Sequence, residues 1–214
     1  MIQKDNGSLT VKLLLEKGVH LGHKKNYWNP LMIEYIYGIR HDLHIFDLEK
    51  TLCSLRNSCR FVRSVIASKG KILFVCSDER FYHIIEQTAQ LTNQPYIVGR
   101  WIGGLLTNLT SLQKTRLDSN FSKKKYRSLH ELRVQRGIEQ LDSMPSALFI
   151  VGDSRSAIAE ASLLNIPIVK VCDSTSNPSL ISYIIPGNDD SIQCVAMYCN
   201  VIADSIREGQ RLQY

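Results

Sequence analysis

The sequence predicts an α/β fold: a doubly wound parallel sheet with helices on both faces and one inserted basic helical hairpin. Short apolar runs alternate with helical patterns along most of the 214 residues, which is typical of βαβ units. Apolar residues make up 44% and charged residues 21% of the chain, as in ordinary globular proteins. No apolar run reaches the roughly 20 residues that span a bilayer.

Positive charge is concentrated in one stretch of the chain. The net charge is +6, from 26 basic and 20 acidic residues. Residues 113–137 hold eight of the basic and two of the acidic residues, so the remainder is neutral. A local basic patch indicates contact with an anionic partner, most often nucleic acid, although a solvated helical face would have the same composition.

The first elements are predicted from caps and periodicity. Residues Leu9–Lys17 favour a short helix that Ser8 or Thr10 caps and Gly18 ends. The segment from Gly18 to Pro30 is rich in His, Gly, Asn and Pro, and is predicted to be a loop. Two strands are expected next, at Ile33–Tyr37 and Leu43–Phe46.

A long amphipathic helix is predicted after Asp47, a favourable N-cap residue. Its apolar side chains recur at alternating steps of four and three, which places them on one helix face. These positions are Leu48, Leu52, Leu55, Cys59, Val62 and Ile66.

Strands and helices then alternate to the end of the chain. The predicted strands are Lys71–Cys76, Pro95–Val98, Ala147–Val151, Ile166–Val171 and Ser182–Ile185. The predicted helices begin at Asp78, span Ala157–Leu164, and run from about Asp189 to Arg207.

An insertion interrupts this series at residues 107–144. Leucines between charges on both sides of Asp118–Ser122 favour two antiparallel helices with a buried seam. The lysine run Lys123–Lys125 would then lie near the exposed tip. Residues 1–106 and 145–214 are expected to form a single α/β domain.

The cysteines indicate neither disulfide bonds nor a metal site. None of the six forms a CxxC pair, and most lie in apolar stretches, so we expect free buried thiols in a reducing compartment. No metal and no cofactor are predicted. The first residues resemble neither a signal nor a transit peptide, so an organellar protein would be made in place or already trimmed.

Three predicted strand ends carry serine and aspartate, where parallel sheets usually bind ligands. They are Cys76–Asp78, Gly152–Ser154 and Cys172–Ser174. A nucleotide or sugar-phosphate enzyme could use them, but serine and aspartate are also common helix N-caps, which we favour. No phosphate-binding glycine loop is present. Asp189 and Asp190 are expected to oppose the dipole of the last helix, without a catalytic role.

Histidine and basic or aromatic residues mark two loops as candidate RNA contacts. In the first loop, His20 and His23 precede Lys24 and Lys25. We expect these side chains to donate hydrogen bonds to phosphate or ribose oxygens. His41 and His44 also lie near Asp47, but neither pair is predicted to be catalytic or metal-binding. The turn Trp28–Pro30 suits either RNA contact or packing.

The second loop runs from Arg100 to Asn108. Its arginine can neutralise phosphate, its tryptophan can pack or stack, and its two glycines permit close backbone approach or positive φ. The candidate RNA-binding residues are His20, His23, Lys24, Lys25, Trp28, Asn29, Arg40, Arg100, Trp101, Gly103, Gly104, Thr107, Asn108, Lys114, Arg116, Lys123, Lys124, Lys125 and Arg127.

Taken together, several segments resemble the S2 family of small-subunit ribosomal proteins and occur in the family's order along nearly the whole chain. They are Gly18–His23, Trp28–Pro30, Tyr37–Gly38, His44–Thr51, Lys71–Val75, Arg100–Asn108, Pro145–Phe149, Asp173–Pro178, Ile185–Asp190 and Arg207–Gly209.

The resemblance implies a flavodoxin-like domain with a protruding helical hairpin and no enzymatic activity. It implies contacts with small-subunit rRNA and neighbouring ribosomal proteins at the head–body junction, and in bacteria a part in docking ribosomal protein S1. The partners expected here are therefore rRNA and ribosomal proteins, without a membrane or small-molecule substrate.

Two departures from the bacterial pattern favour an organellar member. The hairpin is shorter, which puts contacts at its far end in doubt, and the chain stops soon after Arg207–Gly209, without an acidic tail. Six cysteines point the same way. We expect a mitochondrial rather than a plastid protein, because plastid relatives keep a longer hairpin. A doubly wound enzyme for a phosphorylated or nucleotide substrate is the alternative.

Overall fold

A computed structural model describes residues 9–109, 137, 141 and 143–213. The chain begins with helix α1 (Val11–Lys17), which Thr10 caps by accepting a hydrogen bond from the Leu13 amide at 3.3 Å. Gly18 ends it in the left-handed conformation, with φ of 80°. Both the capping and the stop are as predicted.

A small antiparallel sheet follows, with strands β1 (Leu21–Lys24), β2 (Ile36–Arg40) and β3 (Leu43–Phe46) in the order β1-β3-β2. The predicted Gly18–Pro30 loop therefore contains a strand. The strand predicted at Ile33–Tyr37 is wrong in its first three residues, which belong to a 3-10 helix (Pro30–Tyr35), whereas Ile36 and Tyr37 begin β2. The Asn29 side chain accepts from the Leu31 amide and Pro30 fixes the first turn, which favours the helical conformation there.

Helix α2 spans Leu48–Ala67, and its Asp47 cap accepts from the amides of Glu49 and Lys50. The remaining elements are β4 (Ile72–Cys76), α3 (Tyr82–Leu91), β5 (Tyr96–Val98), β6 (Ala147–Val151), α4 (Arg155–Leu163), β7 (Ile168–Cys172), β8 (Tyr183–Pro186) and α5 (Ile192–Arg211).

The main sheet is parallel, with the strand order β5-β4-β6-β7-β8. Counted within this sheet the order is 2-1-3-4-5, which is the flavodoxin-like doubly wound topology. Alternate strand residues enter two separate cores. Phe74 and Phe149 pack with helices α2, α3 and α5, whereas Leu73 and Leu148 pack with α4 and the small sheet. The predicted fold class is confirmed.

Two helices begin later than predicted. Asp78 caps a 3-10 turn (Glu79–Phe81), and the α-helix begins only at Tyr82. The last helix begins at Ile192, so Asp189 and Asp190 precede it instead of opposing its dipole. The Asn188 side chain accepts from the amides of Asp190 and Ser191 at 2.9 and 3.2 Å, which holds this segment in a turn.

The six cysteines are free. Four are buried, Cys59 is half-buried and Cys53 is exposed, so burial is confirmed for most of them. Within the described ranges, no helix is long and apolar enough to cross a bilayer. The predicted hairpin at 107–144 lies almost entirely outside the described residues, and its boundaries stay a prediction.

Candidate nucleic-acid interface

The N-terminal segment is attached to the carboxyl edge of the main sheet. The His23 amide donates to Ser174 Oγ at 3.0 Å, and the Asn29 amide donates to the Ser174 carbonyl at 2.8 Å. A side chain at Gly22 would crowd Ser174, because an added Cβ would lie 3.2 Å from its Oγ. Asn29, predicted to contact RNA, is thus used within the protein as a cap and a tether.

His23 links carboxylates from two other segments. Its Nδ1 contacts Asp173, which is buried, and its Nε2 lies 3.3 Å from Asp190 Oδ2. Arg80 extends the cluster, with Nη2 at 3.0 Å from Asp190 Oδ1 and at 2.6 Å from Asp78 Oδ2. The predicted phosphate donor is therefore occupied by intramolecular contacts.

Burial raises the pKa of two carboxyls in this cluster. The pKa of Asp173 lies above its ordinary value, because desolvation outweighs the hydrogen bond from Ser174 and the attraction of His23. Desolvation, together with the charge of Asp173, raises the pKa of Asp189 to about 7. Buried Lys170 opposes the shift of Asp189, and its ammonium donates to Ser176 Oγ at 3.1 Å.

Trp28 and His44 pack against each other, and His20 is half-buried. The Trp28 ring is half-buried and lies 5.2 Å from the ring of His44, which is buried. Burial also lowers the pKa of His20, which favours its neutral form. Of the two interpretations of the Trp28–Pro30 turn, the structure supports packing.

Cationic side chains gather at one end of the small sheet. Lys24 and Arg40 both lie opposite Leu43 in register, on the two strands that flank β3, and both are exposed. Lys25 Nζ lies 2.7 Å from Asp42 Oδ1. His41 and Asp42 have φ of 49° and 62°, which indicates a tight turn of the hairpin type. We call Lys24, Lys25, Arg40 and His41 the basic edge.

The Arg100–Asn108 loop is held by Glu160 of α4, a residue that the sequence analysis missed. Its carboxylate accepts from Trp101 Nε1 at 3.1 Å and from the amides of Gly104 and Leu106 at 2.5 and 3.1 Å. Trp101 therefore packs and donates inward. A lone acid in a helix of small residues, Arg155–Leu163, is the only sequence signal for this role.

The rest of this loop is placed as follows. Arg100, Gly103, Thr107 and Asn108 are exposed, whereas Gly104 has φ of 81°. The predicted positive φ is thus found at the second glycine. Lys114, Arg116, Lys123, Lys124, Lys125 and Arg127 lie outside the described residues, and their roles stay predictions.

Two of the three strand ends that carry serine and aspartate are joined to one another. Ser77 Oγ, after β4, donates to the carbonyl of Asp153, after β6, at 2.9 Å. These two strands border the point where strand order reverses. Helix capping is confirmed for Asp78 but is wrong for Ser154, whose side chain makes no capping bond, and for Asp173, which binds His23.

The fold and the site define a class of protein: a doubly wound α/β domain with an appended antiparallel sheet, whose exposed basic edge suits an anionic partner. The comparisons define it further. The chain belongs to the ribosomal protein S2 family, whose profile, described as "Ribosomal protein S2", matches residues 14–209.

Similar proteins occur in bacteria. The chain is 38% identical to the small ribosomal subunit protein uS2 of Francisella philomiragia over 222 residues, covering 94% of this chain and 93% of the relative. It is 36% identical to that of Acinetobacter baylyi over 223 residues, covering 95% and 90%. Both alignments are longer than the 214 residues of this chain, so the relatives carry residues without a counterpart here.

Proposed function

We propose that the chain is an rRNA-binding structural constituent of a mitochondrial small ribosomal subunit. The observation that carries this proposal is the basic edge. Lys24 and Arg40 are exposed and share one register position, and the backbone beneath them is fixed by the sheet. Such a pair of cations suits two neighbouring phosphates. The family and the names of the bacterial relatives supply the small subunit as its setting.

We infer that neighbouring ribosomal proteins bind an adjacent surface, which shares Arg40 and His41 with the basic edge. An open groove of about 750 Å³ lies between α1 and the outer face of the small sheet, and Leu15, Leu21 and Tyr37 line it with 52%, 39% and 82% of their areas exposed. Its rim is mixed in charge, with Arg40 and His41 against Asp47 and Glu49. Apolar area of this kind favours a protein segment over RNA.

The mitochondrial setting rests on separate support. The relatives are bacterial, yet they carry residues that this chain lacks, as expected for a shortened organellar member. Its free, mostly buried thiols suit a reducing compartment such as the matrix. Fractionation of the source cells tests this part: the tagged protein should co-purify with protease-protected mitochondria. Recovery in the cytosol or plastids would contradict it.

Sedimentation tests the ribosomal part. Tagged protein from a gentle lysate should co-migrate with the small subunit on a sucrose gradient and dissociate as salt rises, because phosphate contacts release counterions. The double variant Lys24→Glu/Arg40→Glu should shift toward the free fractions. A matched variant, Arg60→Glu/Arg155→Glu, makes the same charge change at exposed positions on α2 and α4 and should co-migrate normally.

Migration of the wild-type protein as a free 24.4 kDa chain under gentle conditions would contradict the proposal. Equal loss for both double variants would show that general charge, and not the basic edge, governs the association.

A further inference from the structure

Of the two adjacent aromatic residues Tyr27 and Trp28, Tyr27 is the exposed one. Trp28 packs against His44 inside the protein, whereas Tyr27, which the sequence analysis passed over, exposes 68% of its surface. An aromatic side chain held this far out of the core contributes little to folding, because most of its apolar area stays in water. The ring is therefore available to an external partner.

The backbone on both sides of Tyr27 is fixed. The Tyr27 amide donates to the Lys24 carbonyl at 2.8 Å and closes a turn. The Lys25 amide donates to the Asp42 carbonyl, and the Asn29 amide to the Ser174 carbonyl, each at 2.8 Å. The ring is thus presented from an ordered segment, which lowers the entropy lost on binding.

The immediate neighbours of Tyr27 favour RNA over protein. The turn brings the backbone of Lys24 close to that of Tyr27 and includes Lys25, so two exposed lysines belong to the same turn as the ring. Tyr37 is also exposed, but it lines the groove with Leu21 and Ile45, where an apolar partner segment would bind. An aromatic face beside cations is the combination that binds an unpaired nucleotide, with the base on the ring and the phosphate on the cation.

We propose that Tyr27 is a stacking platform for one unpaired base of the small-subunit rRNA, with Lys24 binding the adjoining phosphate. This inference rests on the proposed RNA-binding function and names the class of RNA that the basic edge recognises. Paired bases cannot take part, because their faces are already stacked within the helix. The ring reads a base face, so the contact tolerates all four bases.

Binding of the full chain to protein-free small-subunit rRNA tests the proposal. Tyr27→Ala should weaken binding about 10-fold or more, whereas Tyr27→Phe, which keeps the ring, should bind as the wild type does. Tyr37→Ala is the matched control and should leave binding unchanged. Thermal unfolding of each variant checks that the fold is kept, as expected for exposed side chains.

Salt dependence separates stacking from charge. Tyr27→Ala should leave the slope of log affinity against log salt unchanged, whereas Lys24→Glu should reduce it by about one. Ultraviolet crosslinking should join Tyr27 to a nucleotide that is unpaired in the rRNA secondary structure.

Failure of this inference can be told from failure of the proposed function. If wild-type protein does not bind the rRNA, the proposed function fails. If it binds with a clear salt dependence but Tyr27→Ala equals wild type, or Tyr27→Phe equals Tyr27→Ala, the stacking role is wrong. Normal binding of Tyr27→Ala to bare rRNA combined with poor incorporation into subunits would assign Tyr27 to a protein contact and also overturn the proposal.

Discussion

At the scale of single residues, Glu160 shows how one half-buried carboxylate can hold a whole loop in place. Its carboxylate receives an indole N–H and two backbone N–H groups from the Arg100–Asn108 loop. All three donors would lose their partner together if the carboxylate were removed. The exposed positions of the loop, Arg100 and Asn108 among them, depend on this contact for their placement.

Replacing Glu160 tests this dependence. Glu160→Ala should lower the free energy of unfolding by about 1–3 kcal/mol, because an unpaired buried donor costs roughly 1–3 kcal/mol but these three part-buried donors can be partly satisfied by water. Glu160→Gln keeps one acceptor oxygen and should cost less. Urea unfolding measures the stability, and a red shift of Trp101 emission would report the released loop.

The control for this measurement is Glu208→Ala. That carboxylate is exposed and forms a surface ion pair with Arg63 at 3.0 Å, so its loss should cost about 0.5 kcal/mol or less. Equal stability of Glu160→Ala and Glu208→Ala would refute the anchoring role of Glu160.

Asp189 gives stability a pH dependence of defined sign. Its pKa is about 7 in the folded protein, against an ordinary value of 3.8, so the folded state binds more protons between these values. The free energy of unfolding should therefore fall as pH rises from 4 through 7. Asp189→Asn removes this loss and should be more stable than wild type by about 2 kcal/mol at pH 8.

Urea unfolding of both proteins from pH 4 to pH 8 measures the difference. A chelator in every sample keeps divalent cations from the carboxylates and makes the comparison one of protons alone. The advantage of Asp189→Asn should become small toward pH 4, where the carboxyl is protonated in the folded state and close to half protonated in the unfolded state. An advantage that is constant across this range would exclude titration of Asp189 as its cause.

The residue types between His23 and Arg40 predicted only some of the contacts that these side chains make. Lys24 and Arg40 are exposed cations, as expected for RNA contacts, but His23 and Asn29 bind Asp173 and Ser174, about 150 residues away in sequence. Such long-range pairs leave no local pattern in one sequence. The same limit hid Glu160, whose partners lie more than 50 positions earlier.

At the scale of elements, the predictions succeeded where periodicity is long. Helix α2 keeps its apolar face over 20 residues and was predicted within one residue at its start. Strand β1 was missed because its four residues, Leu21–Lys24, show no clean alternation of apolar and polar side chains. Its pairing with β3 comes from tertiary context, which overrides weak local preference.

The base of the insertion meets the main sheet through a glycine. Gly137 is buried, and a methyl group on it would overlap the carbonyl oxygen of Tyr96 in β5. Gly137→Ala should therefore lower the free energy of unfolding by about 1–3 kcal/mol, although alanine is the better helix former. Chemical denaturation measures the loss.

Gly103→Ala is the matched comparison, since nothing lies within 4 Å of the added Cβ and φ there is not positive. It should leave stability within about 0.5 kcal/mol of wild type. A neutral Gly137→Ala would mean that the base of the insertion does not depend on this close approach.

At the scale of the whole molecule, the proposed RNA contacts lie at the periphery of the fold. The order β5-β4-β6-β7-β8 creates the crevice that enzymes of this topology use, but the Ser77–Asp153 bond crosses it and the N-terminal segment attaches beside it at Ser174. The alternation of strands and helices predicted the layers. Strand order and the position of the small sheet could not follow from alternation, because both depend on contacts between distant segments.

The distribution of charge is also a property of the whole chain, since the entire positive excess of +6 lies within residues 113–137. If this stretch and the basic edge both contact the rRNA, their contributions should add, because separate phosphate contacts release counterions independently.

We expect Lys123→Glu/Lys124→Glu/Lys125→Glu to lower the salt slope of rRNA binding by up to about three, and Lys24→Glu/Arg40→Glu by about two. The combined variant should lose about the sum, while Arg60→Glu/Arg155→Glu keeps the wild-type slope. Binding assays from low to high salt with each folded variant measure these slopes. A wild-type slope for the lysine triple variant would remove residues 123–125 from the RNA contact, and the excess charge would then have to serve a neighbouring acidic protein.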